Sequence, residues 1–148
     1  MLHSRNLLWD RGTSRVTACS KQLGLKGCFG VDKLRSKNAM SSVIIAELTT
    51  PEGERLLMSW LQNANVVGVF LAPPCGSASR ARQIPLKKRK FGGNRLLHSG
   101  QISFQTPNLT PSELGRVSLA NQLYHLTAKV VKWAVEVGCI FVVENPQV

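Results

Sequence analysis

The run Val66 to Ala72, VVGVFLA, constrains the fold more than any other stretch of this chain. It is apolar throughout except for Gly68, and it meets Pro73-Pro74 directly. Strands covered on both faces lack the usual alternation of apolar and polar residues, and paired prolines stop a strand at its carboxyl end. Such a strand belongs inside a parallel sheet. In open α/β sheets ligands sit in the crevice beyond the carboxyl ends of the strands, so Cys75, the residue after the prolines, stands where chemistry is done. The prolines stiffen the turn that holds its thiol, and Gly76, Ser77 and Ala78 leave space for a substrate.

The flanking segments supply an alternation of helices and strands. Val16, Cys19 and Leu23 mark one face of a short helix capped by Gly24, and Cys28 to Val31 is a short strand closing on Asp32. Val43 to Ala46 reads as a strand ending at Glu47. Thr50-Pro51 then provides the N-cap and first-turn proline of a helix reaching about Asn63, with Leu56, Leu57, Trp60 and Leu61 inward. Thr110-Pro111-Ser112-Glu113 is a capping box. It opens a helix that keeps its period through Leu114, Val117, Leu123, Tyr124, Val131, Ala134 and Val137 and closes at Gly138. Ile140 to Val143 reads as a last buried strand, ending in Glu144-Asn145-Pro146. This order implies an α/β domain with a parallel sheet and right-handed crossovers. No internal repeat is present.

Charge bears on partners. With 19 Lys and Arg against 8 Asp and Glu, the formal net charge is +11, which favours a polyanionic partner. Residues 79 to 110 form a long loop poor in apolar anchors, and loops of that length in compact domains are functional or disordered. It carries Arg80, Arg82, Lys87, Lys88, Arg89 and Lys90. Pro85 to Lys90 has the composition of a nuclear localisation signal, and equally of a solvated loop or a phosphate-contacting patch. The four cysteines (Cys19, Cys28, Cys75, Cys139) contain no CxxC pair, so zinc is not expected and a reducing compartment is the simpler setting. Cys19, Cys28 and Cys139 read as core residues. No apolar run approaches the roughly 18 residues of a membrane span, and the first residues lack a secretory h-region. An intracellular, metal-free protein with no membrane partner is expected, a nuclear address being one reading of the basic run. His3, His98 and His125 fall in no ligand spacing.

Three strands end in polar groups on one edge: Asp32, Cys75 and Glu144. The Pro-Pro-Cys after one strand and the Glu-Asn-Pro after the next resemble motifs IV and VI of the cytosine-C5 DNA methyltransferases, which depend on S-adenosylmethionine (SAM). Gly12-Thr13 ahead of a helix and Asp32 at the end of a strand resemble that family's motif I loop and motif II acid, and Glu47 stands near its motif III position. The resemblance implies a Rossmann-like parallel sheet with helices on both faces. It also implies cofactor contacts at Gly12, Thr13, Asp32, Glu47 and Pro73, with a thiolate at Cys75 that adds to cytosine C6. Glu144 would hydrogen-bond the exocyclic amine and N3 of the base. The base must leave the duplex, and the basic loop residues would hold the surrounding phosphates, so the resemblance implies DNA as the partner.

The departures shape the expectation as much as the matches. Leu7-Leu8-Trp9-Asp10-Arg11-Gly12 stands in place of the family's motif I strand and glycine loop, with an acid and a base where small residues let backbone approach the cofactor. The motifs that follow Glu-Asn-Val in the family are not in the sequence, so a single, incomplete domain over residues 1–148 is expected, inactive alone and binding SAM weakly or not at all. The alternative is a non-catalytic, basic nucleic-acid-binding remnant of the same fold. An amine-directed methyltransferase ranks below both, since it would carry Asp or Asn before Pro-Pro and an aromatic after it, where Ala72 and Cys75 stand.

Overall fold

The computed structural model describes residues 5–9, 14–25, 27–34, 36–63, 66–73 and 108–144. Among them the chain is mixed α/β, with short parallel strands and three helices. In chain order these are β1 (Arg5–Trp9), α1 (Arg15–Gln22), β2 (Cys28–Asp32), β3 (Val43–Ile45), α2 (Pro51–Asn63), β4 (Val66–Leu71), α3 (Pro111–Val137) and β5 (Ile140–Val143). The strands form one sheet in the order β3-β2-β1-β4-β5, and every neighbouring pair is parallel.

Local chemistry explains where the helices begin and end. Thr50 caps α2 by accepting from the Gly53 N–H at 3.1 Å, and Pro51 occupies the first turn, where a missing N–H costs nothing. At α3 the capping box is closed in both directions: Glu113 N–H donates to the Thr110 hydroxyl at 3.3 Å, and Thr110 N–H donates to Glu113 Oε2 at 2.9 Å. Both α1 and α3 end in a Schellman turn. Leu25 N–H reaches Ser20 O at 3.0 Å and Cys139 N–H reaches Ala134 O at 2.8 Å, with Gly24 (φ 83°) and Gly138 (φ 69°) in the left-handed conformation that this turn requires.

By contact the chain divides into two compact units, Met1–Ala72 with Leu126–Glu144, and Pro73–His125 with Asn145–Val148. The first holds the sheet and a core of Val31, Leu57, Leu61, Val69, Leu71, Val130 and Ala134, all at most 3% exposed. Phe29 of β2 meets Trp60 of α2 edge to face, with ring centroids 5.9 Å apart. Lys129 of α3 pairs with Glu54 of α2 at 2.5 Å. In the second unit α3 buries Val117 and Ala120.

Several expectations about packing are corrected. β5 is apolar but not buried: Ile140, Phe141, Val142 and Val143 are all exposed, because β5 takes the edge of the sheet and not an interior place. Leu56 points away from the core formed by Leu57 and Leu61, since neighbours on a helix are about 100° apart and cannot share a narrow face. Cys19 and Leu23 are exposed, and α1 buries Thr17 and Ala18 instead. On α3 the inward stripe runs through Val117, Ala120, Leu126, Thr127, Val130 and Ala134, leaving Leu114 and Val137 exposed. The loop from 79 to 110 lies outside the described residues except for its last three.

Candidate functional site

All five strands run the same way, so their carboxyl ends share one edge of the sheet. The chain steps outward from β1 to β2 and β3, then returns to the other side of β1 to form β4 and β5. The direction of winding thus reverses between β1 and β4, and in open parallel sheets such a reversal opens a crevice at the carboxyl edge.

Asp32 is the last residue of β2, beside the central strand. Its Oδ1 accepts from the Lys33 N–H at 2.6 Å, a local turn that holds the carboxylate at the strand end. One ladder step further, Ala46 N–H donates to Asp32 O at 2.9 Å, so the chain beyond β3 stays paired with β2. Glu47 follows. Its Oε1 accepts from the Thr49 hydroxyl at 2.6 Å and from the Thr49 N–H at 3.3 Å, and its Oε2 meets the Lys33 ammonium. Lys33 and then Thr49 hold the Glu47 carboxyl below its ordinary range, against the opposing effect of burial.

The turn between Glu47 and α2 leaves no room for a side chain at Gly53. A Cβ there would lie 2.0 Å from Glu47 O and 2.7 Å from Glu47 C. Thr50 also donates its hydroxyl to Glu47 O at 2.9 Å, so the cap of α2 and the turn that carries Glu47 are one piece of backbone.

Ser14, immediately before α1, is fully buried and left-handed (φ 51°), an uncommon conformation for a residue with a side chain. Its hydroxyl donates to Ser41 O at 3.1 Å and accepts from Ser41 N–H at 2.9 Å, and Lys21 reaches Ser41 Oγ at 2.9 Å. The start of α1 is thereby tied to the segment between β2 and β3.

On the other side of the sheet, Glu144 directly follows β5. Its N–H donates to Leu71 O at 2.8 Å, extending the β4–β5 ladder by one step, and its side chain is exposed. Asp32 and Glu47 are brought together; Glu144 is not with them. Three strand spacings separate β2 from β5, roughly 14 Å at about 4.8 Å each. Pro73 is buried and is the first residue of the second unit. Gly12, Thr13, Cys75, Arg80, Arg82, Lys87, Lys88, Arg89 and Lys90 lie outside the described residues. Lys33 and Ser14 were not legible as site-forming residues, since a lysine after a strand or a serine before a helix is common and their partners Glu47 and Ser41 are distant in the chain; Thr49, two residues from Glu47, carried no signal beyond that of a turn.

Among the described residues no group of three or more His, Cys, Asp or Glu could hold a metal ion, and no helix is long and apolar enough to cross a membrane. Comparison with protein-family models, with curated proteins and with solved structures gave no match.

Proposed function

We propose that the chain is a SAM-dependent methyltransferase-like domain of the cytosine-C5 type, with nucleic acid as its partner. The observation that carries this reading is the position of Asp32, an acid ending the strand beside the central one, on the edge where the winding reverses. A carboxylate there can accept both hydroxyl protons of a ribose. Right-handed crossovers would set α1 on one face of the sheet and α2 with α3 on the other, as a Rossmann-like domain requires. The fit to the cofactor is partial: Asp32 ends its strand at the edge where a ribose would lie, and both oxygens of Glu47 are held within the chain.

SAM would supply the methyl group. The thiolate of Cys75 would form a bond to C6 of the base and leave through the same bond once the C5 proton is lost, while Glu144 would hold the N3 edge. Arg80, Arg82 and Lys87 to Lys90 would contact phosphates on either side of the displaced base.

A titration with S-adenosylhomocysteine followed by amide NMR tests this reading. Weak binding is expected, because Asp10 and Arg11 stand where small residues would let backbone approach the cofactor. The shifts should centre on the ends of β1 and β2 and fade in Asp32→Ala. Glu47, already engaged, favours the second reading, a basic remnant that binds nucleic acid without cofactor. DNA binding together with unmoved amides near Asp32 would select that second reading.

A further inference from the structure

The cation beside the β2 acid is the feature that the methyltransferase reading leaves unused. Lys33 directly follows Asp32, the residue placed to meet a ribose, and its side chain is 57% exposed. A basic group next to such an acid ordinarily accommodates a ribose 2′-phosphate. Here the charge is already matched. Glu47 Oε2 holds the Lys33 ammonium, and Glu47 is in turn fixed by the Thr49 hydroxyl at 2.6 Å and the Thr49 N–H at 3.3 Å. A phosphate arriving at Lys33 would have to displace a carboxylate that is anchored to its own turn and would feel that carboxylate's negative charge.

We propose that the Lys33–Glu47 pair sets specificity at the Asp32 edge, admitting nucleosides with an unphosphorylated ribose and turning away 2′-phosphorylated ones. The proposal rests on Asp32 marking a nucleoside site. The lowered pKa of Glu47, set first by its hydrogen bond from Lys33, agrees with it, since the carboxylate stays charged through neutral solution. Because Lys33 is more than half exposed, screening by water and salt limits the discrimination to about tenfold.

The test compares adenosine, 5′-AMP and 2′-AMP by amide NMR on the wild-type chain, on Glu47→Gln and on Lys33→Ala/Glu47→Gln. The two phosphates carry equal charge, so their ratio cancels the general attraction of a chain with net charge +11. Glutamine keeps an oxygen for Thr49 while removing the negative charge that faces Lys33. Wild-type protein should prefer 5′-AMP over 2′-AMP about tenfold, Glu47→Gln should erase most of that preference, and the double variant should restore it. A ratio that Glu47→Gln leaves unchanged, or that stays erased in the double variant, overturns the role of the pair while adenosine binding stands. Adenosine that moves no amide near Asp32 overturns the nucleoside site itself, and the pair's role with it.

Discussion

Glu47 keeps its charge further into acid than an ordinary carboxyl with a value of 4.5, chiefly because Lys33 and then Thr49 hydrogen-bond its ionised form. A group whose value is lower in the folded than in the unfolded chain adds stability above the unfolded value. That contribution is lost as pH falls through the folded one. Urea unfolding of wild type and Lys33→Ala should therefore differ most near neutral pH and converge in acid below the folded value of Glu47; a difference independent of pH would dissociate Lys33 from this titration. The cysteines diverge for similar local reasons. Burial pushes the Cys139 thiol up, its Sγ lying 3.5 Å from Ile140 O, and buried Cys28 donates to Leu25 O at 3.3 Å, whereas Cys19 is exposed. Alkylation with iodoacetamide, read peptide by peptide, should label Cys19 well before Cys28 and Cys139. Under the methyltransferase proposal Cys75 should join Cys19 and keep its rate further into acid.

At the scale of elements, two helical glycines make opposite predictions. Gly115 of α3 has nothing within 4 Å of a built Cβ, so Gly115→Ala should stabilise the chain by about 0.5–1 kcal/mol through helix propensity. Gly53 offers the same gain of about 1 kcal/mol, but a Cβ 2.0 Å from Glu47 O forces backbone apart, and overpacking costs about 1–3 kcal/mol. Gly53→Ala should therefore lower stability, and thermal or urea unfolding of both variants decides the sign. The helix ends were legible because caps are local: Thr50, Thr110, Gly24 and Gly138 act within six residues of themselves, and each does in the structure what its sequence context implies. Which faces are buried was less legible. An apolar residue on a helix can meet the core or face solvent, and Leu56, Leu114 and Val137 are exposed.

For the whole molecule, charge sets the expectation for partners. If Arg80, Arg82 and Lys87 to Lys90 contact phosphates, the affinity for duplex DNA should fall steeply with salt, by a slope of about −0.9 per phosphate neutralised. Replacing all six with glutamine should flatten that slope, as measured by fluorescence anisotropy over a series of salt concentrations. An unchanged slope would move the contact surface to the remaining basic residues. Little sequence preference is expected, because phosphate contacts position a protein without reading bases.

The sequence alone determined that strands and helices alternate, that the strands run parallel, and that Asp32 ends one strand while Glu144 directly follows another, with Glu47 two residues beyond a third, because strand runs, caps and turn residues are short-range features. It did not place the strands in order. Leu7 to Gly12 read as a reduced strand and glycine loop, yet Arg5–Trp9 is the central strand, while the more apolar Ile140–Val143 takes an exposed edge. Composition measures how readily a segment enters a sheet; which strands flank it depends on crossovers spanning tens of residues, and these are settled only when the whole core packs. The same holds for the site. Asp32 could be read from its strand, but the capture of Glu47 by Lys33 and the bridge from Ser14 to Ser41 join residues distant in the chain, and only the folded backbone brings their atoms within hydrogen-bonding reach.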